Sequence, residues 1–257
     1  MTQRILVLGA GGVGGYFGAR LTEGGADTTF LLRGARREQV AAKGITVHSD
    51  FFDDVSVQVK TIATEEIDQP FDLIIMACKA YQLDGAMDAI TPAVGDNTAV
   101  LPLLNGMKQI DVLQARFGAD KVLGGTTYIG ARVDAETGDI VHFGDFHRIA
   151  YGEVDGTRSA RVEAFDALNE SMKFDIDLQD DIEQTMWDKF AMLCAMSSVN
   201  TLARATVGEI LDTPSGHEFL TAALEECRDT AAALGHTVSD KTIATYEKMF
   251  STQGSKY

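Results

Sequence analysis

The chain has 257 residues, of which 45% are hydrophobic and 23% charged, and its formal net charge is −16 at pH 7. This length is enough for one large core or two smaller ones, and the composition is ordinary for a globular enzyme. The acidic balance argues against a nucleic-acid partner, because phosphate backbones are bound by clustered Lys and Arg side chains.

Cysteine usage and hydropathy narrow the class of protein further. Cys78, Cys194 and Cys227 are too few and too scattered for a disulfide framework or a metal cluster, so we expect free thiols and no bound metal. The N-terminus lacks the pattern of a signal peptide, and no apolar run of about 18 residues predicts a membrane span. We therefore expect a cytoplasmic protein that has no membrane partner.

The first predicted element is a strand at residues 4–8 that leads into a glycine-rich turn and then a helix at 16–21. The spacing of Gly9, Gly11 and Gly14 is the G-x-G-x-x-G pattern of a Rossmann dinucleotide site. Gly9 permits the tight turn, Gly11 lets the backbone approach a pyrophosphate, and Gly14 lets helix and strand pack closely. An ordinary glycine-rich loop is the alternative, but the apolar strand and the helix favour a cofactor site. The residues expected to bind the cofactor here, called the glycine turn below, are Gly9, Ala10, Gly11, Gly12, Val13 and Gly14.

Strand-like and helix-like segments then alternate as far as about residue 180, which favours a parallel sheet covered by helices. A helix is predicted at 81–90, after a buried strand. The predicted strands are 27–32, 45–47, 55–61, 71–77, 99–104, 121–123 and 126–132, with 139–143 and 148–151 as a late antiparallel pair.

From about residue 181 the pattern becomes helical, with segments at 183–203, 208–211, 217–233 and 240–250. We therefore predict an α/β protein in which a doubly wound Rossmann sheet is followed by a smaller all-helical domain. The predicted domains are an NADP-binding domain at 1–180 and a substrate or dimerisation domain at 181–257.

Basic residues at the end of the second predicted strand indicate which dinucleotide is bound. An acidic residue there would bind a ribose hydroxyl and favour NAD, and its absence also makes FAD less suitable. This chain has Arg33 instead, with Arg36 and Arg37 close behind. A guanidinium suits a 2′-phosphate because it is always charged and presents a fork of donors. We expect NADPH or NADP as the cofactor, a basic surface turn being the alternative.

Polar residues also follow other predicted strands, where an α/β sheet presents its ligand site. Lys79 comes directly after the strand at 71–77, and Asn105 closes the strand at 99–104. Thr126 and Thr127 lie near the start of a later strand. A lone lysine after a strand is usually a solvated loop residue, and Lys79 is favoured as a site residue only because Asn105 occupies the equivalent place on a neighbouring strand.

Lys189 enters an apolar helix, where an unpaired ammonium would be costly to bury. One interpretation is a lysine that reaches solvent or pairs with Asp188. The functional interpretation is a general acid, because hydride addition to a carbonyl leaves negative charge on oxygen that an ammonium can protonate. Helical spacing predicts that Lys189, Leu193 and Ser197 face the same cleft.

Taken together, these motifs resemble the ketopantoate reductase family, whose members reduce 2-dehydropantoate to pantoate with NADPH in pantothenate biosynthesis. The resemblance runs from Arg4 to about Phe250, and it implies a Rossmann domain joined to a helical domain. It also implies that Lys189 is the proton donor, that Lys79 and Asn105 line the nicotinamide and substrate site, and that Arg33 holds the 2′-phosphate. The motifs that carry it are GAGGVGG at 9–15, CKA at 78–80, LNGM at 104–107 and WDKF at 187–190.

Two departures from the family pattern concern the substrate. Family enzymes carry asparagines one and two turns after the catalytic lysine, where this chain has Leu193 and Ser197. We expect Ser197 and Asn200 to contact substrate, with Asn200 partly compensating from a different helical angle. Family members also continue past the region of Phe250 with a serine that contacts substrate and a glutamate near the cofactor. This chain stops at Tyr257, which predicts a truncated second domain.

Alternatives to ketopantoate reduction remain open from the sequence. A reductase of the same family could act on a different small 2-oxo acid or on an imine, and Leu193 favours this alternative. A protein of another class would bind NADP without catalysis. The resemblance allows either a monomer or a homodimer.

Overall fold

The computed structural model describes residues 3–255, and the chain divides into two compact units, one ending at Ile182 and the other beginning at Glu183. The predicted fold class is confirmed: a unit built on a parallel sheet precedes a helical unit. The strands are β1 (Arg4–Leu8), β2 (Asp27–Leu31), β3 (Ile45–Ser49), β4 (Val55–Val57), β5 (Lys60–Ile62), β6 (Leu73–Met76), β7 (Ala99–Pro102), β8 (Leu123–Val133), β9 (Ile140–Glu153) and β10 (Asp175–Leu178). The α-helices are α1 (Gly12–Glu23), α2 (Gly34–Lys43), α3 (Leu83–Ile90), α4 (Lys108–Phe117), α5 (Ala160–Asp166), α6 (Ile182–Ala203), α7 (Val207–Leu211), α8 (Gly216–Ala233) and α9 (Asp240–Phe250).

The first sheet has the strand order β5-β2-β1-β6-β7, and all its pairings are parallel. Its central strands are continuous apolar runs, because a parallel sheet covered on both faces exposes neither side of a strand. Every residue of β6 and β7 is buried. The chain proceeds outward in one direction from β1 to β2 and β5, and in the other direction from β6 to β7. The carboxyl ends of β1 and β6 therefore flank the point where the strand order reverses, which is where such sheets bind ligands.

The second sheet has the order β10-β9-β3-β4, with β8 paired to β9 along its length. The prediction of two short strands at 139–143 and 148–151 is wrong, because both belong to the single strand β9. Gly144 has a φ of +88° and lies beside an irregularity in the β8–β9 pairing. A glycine between two apolar segments usually predicts a turn. Here the residues around Gly144 form a bulge, and the strand continues on both sides of it.

The predicted strand at 55–61 is also wrong, because it is two strands in different sheets. β4 pairs with β3 in the second sheet, whereas β5 pairs with β2 in the first. The alternation of apolar and polar residues runs through the whole segment. The segment becomes two strands only because its two ends form hydrogen bonds with different sheets.

α1 packs against both sheets, and two of its glycines make this close packing possible. A Cβ at Gly15 would lie 2.7 Å from Cδ1 of Ile140 on β9, and one at Gly18 would lie 2.7 Å from Cε1 of Phe30 on β2. Since larger residues would force the helix away from both strands, the sequence of α1 fixes the position of its N-terminus.

The helical unit has its own core, to which α6 contributes Ala191, Met192, Ala195 and Val199. α6 is 22 residues long and ends before Arg204, which has a left-handed φ of 52°. None of the helices formed by residues 3–255 combines the length and apolar character needed to cross a bilayer.

Candidate active site

The carboxyl edge of the first sheet collects most of the predicted cofactor residues. The glycine turn follows β1, Arg33 follows β2, Lys79 follows β6 and Asn105 follows β7. These four strands are neighbours in the order β2-β1-β6-β7. Parallel strands end at the same edge, so the fold brings these segments together although they are far apart in sequence.

The glycine turn has backbone geometry that only glycine adopts readily at one position, and contacts that exclude side chains at two others. Gly9 has a φ of +93°. A Cβ at Gly14 would lie 3.0 Å from the Cβ of Ala77, and one at Gly12 would lie 2.8 Å from the carbonyl carbon of Ala131. Gly11 differs from these, because a Cβ there would have no protein atom within 4 Å.

Backbone N–H groups at the start of α1 have no side-chain cap, and Gly11 is the N-cap of this helix. The leading N–H groups of a helix carry partial positive charge and form an anion-binding end when a ligand reaches them. The turn therefore offers both room and donors to a phosphate group.

The three arginines after β2 have different environments. Arg33 is exposed, and within residues 3–255 it makes no hydrogen bond or ion pair. Arg37 forms an ion pair of 2.5 Å with Glu66. Arg36 is half-buried and donates to backbone carbonyls, including that of Ala10 in the glycine turn. Of these three arginines, Arg33 is therefore the one whose guanidinium has no partner within residues 3–255.

Lys79 and Asn105 are both exposed, three residues beyond the ends of β6 and β7. Sequence reasoning missed Gln82, whose Oε1 accepts a hydrogen bond of 3.0 Å from the backbone N–H of Lys79 and so fixes the start of the short turn Ala80–Gln82. Only the glutamine half of a capping box is present, because a lysine side chain at the N-cap cannot accept a hydrogen bond, so the sequence carries only a weak signal for Gln82.

Thr126 and Thr127 lie near the start of a strand, as predicted, but not at the carboxyl edge of the first sheet. They are the fourth and fifth residues of β8, in the second sheet, and only 5% and 6% of their surfaces are exposed. Two consecutive glycines before them are typical of a loop. Gly124 and Gly125 lie in a strand instead, where a larger side chain would collide with Ile182 or Leu101.

Lys189 lies at the margin of the buried stripe of α6. At about 100° per residue it is roughly 60° around the helix from Met192, which belongs to the core of the helical unit. Burial lowers the pKa of the Lys189 ammonium to about 8. A lysine with this pKa exchanges its proton near neutral pH, as a general acid must.

The predicted companions of Lys189 on α6 are not equally placed. Leu193 is about 40° around the helix from Lys189, and Ser197 is about 80° away, exposed and roughly 12 Å along the axis. Asn200 is only about 20° away in angle, contrary to the expectation, but it is three turns and roughly 16 Å further along. Its Oδ1 is buried without a hydrogen-bond partner. The helix therefore brings neither Ser197 nor Asn200 close to Lys189.

No group of three or more His, Cys, Asp or Glu side chains among residues 3–255 is arranged to hold a metal ion. The ionisable groups that stand out near the predicted site residues are Lys189 and the thiol of Cys78, whose pKa is raised by burial.

Comparison with known proteins identifies the same family in both units. The model of the family "Ketopantoate reductase PanE/ApbA" matches residues 5–156, and that of its C-terminal part matches residues 181–256. A relative from Bacillus subtilis, named uncharacterized oxidoreductase YkpB, is 36% identical over 214 residues, which are 83% of this chain and 70% of the relative. The 2-dehydropantoate 2-reductase of Mesorhizobium japonicum is 26% identical, covering 81% of this chain and 70% of its own.

Solved structures agree with the sequence comparison. The crystal structure of 2-dehydropantoate 2-reductase from Geobacter metallireducens has a TM-score of 0.87 and 27% identity, covering 96% of this chain and 82% of that one. The structure from Porphyromonas gingivalis has the same TM-score, with 25% identity, and covers 97% and 88%. The chain is therefore an oxidoreductase that belongs to the ketopantoate reductase family.

Proposed function

We propose that this protein is an NADPH-dependent reductase that converts the ketone of a small branched 2-oxo acid into a 2-hydroxy acid. Ketopantoate (2-dehydropantoate), which would yield pantoate, is the substrate to test first, because relatives carry that name. The observation that carries the proposal is Lys189, a half-buried lysine with a pKa of about 8 in the helical unit of a chain that also has the glycine turn.

The residues at the carboxyl edge of the first sheet fit a phosphorylated dinucleotide. The open space at Gly11 and the uncapped N-terminus of α1 would receive the pyrophosphate. Arg33, exposed and without a partner within residues 3–255, would hold the 2′-phosphate. When bound, NADPH supplies the hydride that reduces the ketone carbon.

Lys189 would supply the proton for the same carbonyl group. Reduction places negative charge on the ketone oxygen, and an ammonium within hydrogen-bond distance stabilises that charge before donating a proton to it. The low pKa favours this transfer, because a lysine of ordinary pKa holds its proton more tightly.

Lys79 and Asn105 would position the reactants. A 2-oxo acid carries a carboxylate, to which the exposed ammonium of Lys79 is complementary in charge, and the Asn105 side chain can both donate and accept hydrogen bonds. Holding the acid in one orientation converts a rare encounter into a bound geometry.

A different 2-oxo acid is the second candidate substrate, and Leu193 favours it. This side chain lies one helical turn from Lys189 and cannot hydrogen-bond a substrate hydroxyl. Trimethylpyruvate is the informative comparison, because it is ketopantoate without the hydroxyl group. A site that pairs with that hydroxyl would discriminate strongly against its absence, whereas an apolar site would not.

The test measures the oxidation of NADPH, monitored by absorbance, in the presence of ketopantoate, trimethylpyruvate or other 2-oxo acids. We expect turnover with at least one of them, and we expect Lys189→Ala to lower kcat by about 100-fold or more while the Kd for NADPH changes little. Lys241→Ala is the matched control, because it removes an exposed lysine from the same unit.

Two outcomes contradict the proposal in different ways. Undiminished turnover in Lys189→Ala would remove its role as proton donor. NADPH binding without oxidation across the panel of acids would instead support a nucleotide-binding protein without this catalysis.

A further inference from the structure

Arg36 lies in the first turn of α2, and its guanidinium joins three segments of the first unit. Nε and Nη2 donate to the carbonyl oxygen of Ala10 at 3.1 and 2.9 Å. Nη1 donates to the carbonyl oxygen of Gly138 at 2.7 Å and to Oε1 of Gln39 at 2.6 Å. Four of the five N–H groups of this arginine are therefore used within the protein.

The bond to Ala10 fixes one peptide plane of the glycine turn. A trans peptide is planar, so the carbonyl oxygen of Ala10 and the N–H of Gly11 point in opposite directions. Because Arg36 holds that oxygen with two hydrogen bonds, the Gly11 N–H is directed away from Arg36. A glycine turn without such a clamp could rotate this peptide freely, since glycine tolerates most backbone conformations.

The second anchor of Arg36 lies in a turn that has several hydrogen bonds of its own. Gly138 belongs to the turn between β8 and β9, where the Asp134 carboxylate accepts hydrogen bonds of 3.0 Å from the backbone N–H groups of Glu136 and Thr137. The N–H of Asp134 also donates to the carbonyl of Asp139 at 2.8 Å. The contacts of Arg36 therefore connect the glycine turn to the hydrogen-bonded turn between β8 and β9 of the second sheet.

We propose that Arg36 is a positioning residue for the dinucleotide: it orients the Ala10–Gly11 peptide by tying the glycine turn to the β8–β9 turn. This inference rests on the proposed NADPH binding at the glycine turn. It separates Arg36 from Arg33, which would contact the 2′-phosphate directly, and from Arg37, which is paired with Glu66 on the protein surface.

Calorimetry with NADPH and NADH distinguishes these roles, because the two cofactors differ only in the 2′-phosphate. Arg36→Leu should weaken the binding of both by the same factor, about tenfold or more, because both use the pyrophosphate donors. Arg36→Lys should recover part of the loss, since an ammonium can still reach a carbonyl oxygen. Arg33→Leu should weaken NADPH binding selectively.

Arg37→Leu is the matched control for charge. It removes the same positive charge one residue away, so a loss caused only by weaker attraction for an anion should occur in both variants and diminish in high salt. We expect Arg37→Leu to change either Kd by no more than about twofold, and the Arg36→Leu effect to persist in high salt.

Hydrogen exchange separates a positioning role from general destabilisation. In Arg36→Leu the hydrogen-bonded amides of Gly9 and Gly15, which donate to the carbonyl oxygens of Leu31 and Gly11, should exchange faster, while those of β6 and β7 keep their protection. Unchanged Kd values, or a changed ratio of NADPH to NADH affinity, would overturn the inference. A wild-type protein that binds neither dinucleotide would overturn the proposed function as well, whereas an Arg33→Leu variant with an unchanged ratio would overturn only the preference for NADPH.

Discussion

Lys189 and Lys173 have pKa values that are shifted in opposite directions. Burial penalises the charged ammonium and lowers this pKa to about 8, whereas the ion pair with Glu23 raises the pKa of the exposed Lys173. Two lysine ammonium groups of one protein thus have different pKa values. The surroundings, which the local sequence does not specify, determine which lysine can serve as an acid.

The pH dependence of the reaction follows from this pKa. If protonated Lys189 is the acid, reduction should proceed at a constant rate below about pH 8 and fall about tenfold per pH unit above it. The measurement is kcat/KM for NADPH oxidation between pH 6 and pH 10. An unchanged rate at pH 10 would contradict the assignment, and the residual activity of Lys189→Ala should lack the decline.

Single residues were predicted best where the backbone imposes the requirement. Gly9 and Gly14 were predicted from spacing because a tight turn and a close helix–strand contact need glycine at those places. Ser197 was less predictable, because a shared helical face says nothing about the distance along the axis. The bonds of Arg36 could not be predicted at all, since they depend on a turn about 100 residues later.

At the scale of elements, the four helices from residue 182 onward were predicted to within one residue at each end. The first helix was predicted less well, since α1 begins four residues before and ends two residues after the predicted 16–21. α9 begins and ends as predicted, and α6 begins one residue earlier than predicted. The errors occurred where one alternating pattern serves two partners, as at β4 and β5, or where a turn-like glycine lies within a strand, as at Gly144. Hydrogen-bond partners in sheets come from distant parts of the chain, which local patterns do not encode.

The start of α1 provides a matched pair of substitutions. Gly12→Ala should destabilise the first unit by about 2 kcal/mol, because its Cβ would overlap the backbone of β8 at Ala131. Gly11→Ala should cost less than about 1 kcal/mol, because its backbone is extended and no protein atom is near. Thermal unfolding measures both effects.

The effects of the two substitutions on cofactor binding should be in the opposite order, with Gly11→Ala the more damaging. A methyl group at residue 11 occupies the space proposed for the pyrophosphate, so Gly11→Ala should weaken NADPH binding by about tenfold or more. Tight binding by Gly11→Ala would contradict the placement of the cofactor. Calorimetry with folded protein at a temperature well below unfolding is the appropriate measurement.

For the whole molecule, lowering the pH destabilises the folded state through carboxylates and histidines alike. Pairing with Lys173 and Arg20 lowers the pKa of Glu23 despite its partial burial, so protonating that carboxylate removes native contacts. Burial, with smaller contributions from His142 and Arg20, lowers the pKa of His147 to about 4. Below neutral pH, both kinds of group bind more protons in the unfolded chain than in the folded one.

His147 should therefore account for a measurable part of acid instability. Its Nδ1 shares a hydrogen bond of 2.6 Å with the Tyr16 hydroxyl, and its ring stacks on Phe52. The unfolded chain protonates near the ordinary pKa of 6.5 and the folded chain near 4, so stability is lost as the pH falls through this window, by about 3 kcal/mol in total. Urea unfolding at several pH values measures the free energy of unfolding.

The matched variants for this effect are His147→Gln and His217→Gln. His147→Gln should flatten the dependence of stability on pH between 6.5 and 4, whatever its effect at neutral pH. His217 is an exposed histidine of the second unit, so His217→Gln controls for the loss of a histidine elsewhere in the chain. Equal slopes in all three proteins would show that His147 is not the responsible group.

The short path from β4 to β5 has a consequence for how the first unit assembles. Only Gln58 and Val59 separate the last residue paired in one sheet from the first residue paired in the other. If β4 leaves the second sheet, the short connection displaces β5 from the first sheet, and the reverse also holds. The connection therefore couples the unfolding of the two sheets. We expect denaturant to dissolve both sheets in a single concerted step, visible as simultaneous loss of amide protection in β2 and β3.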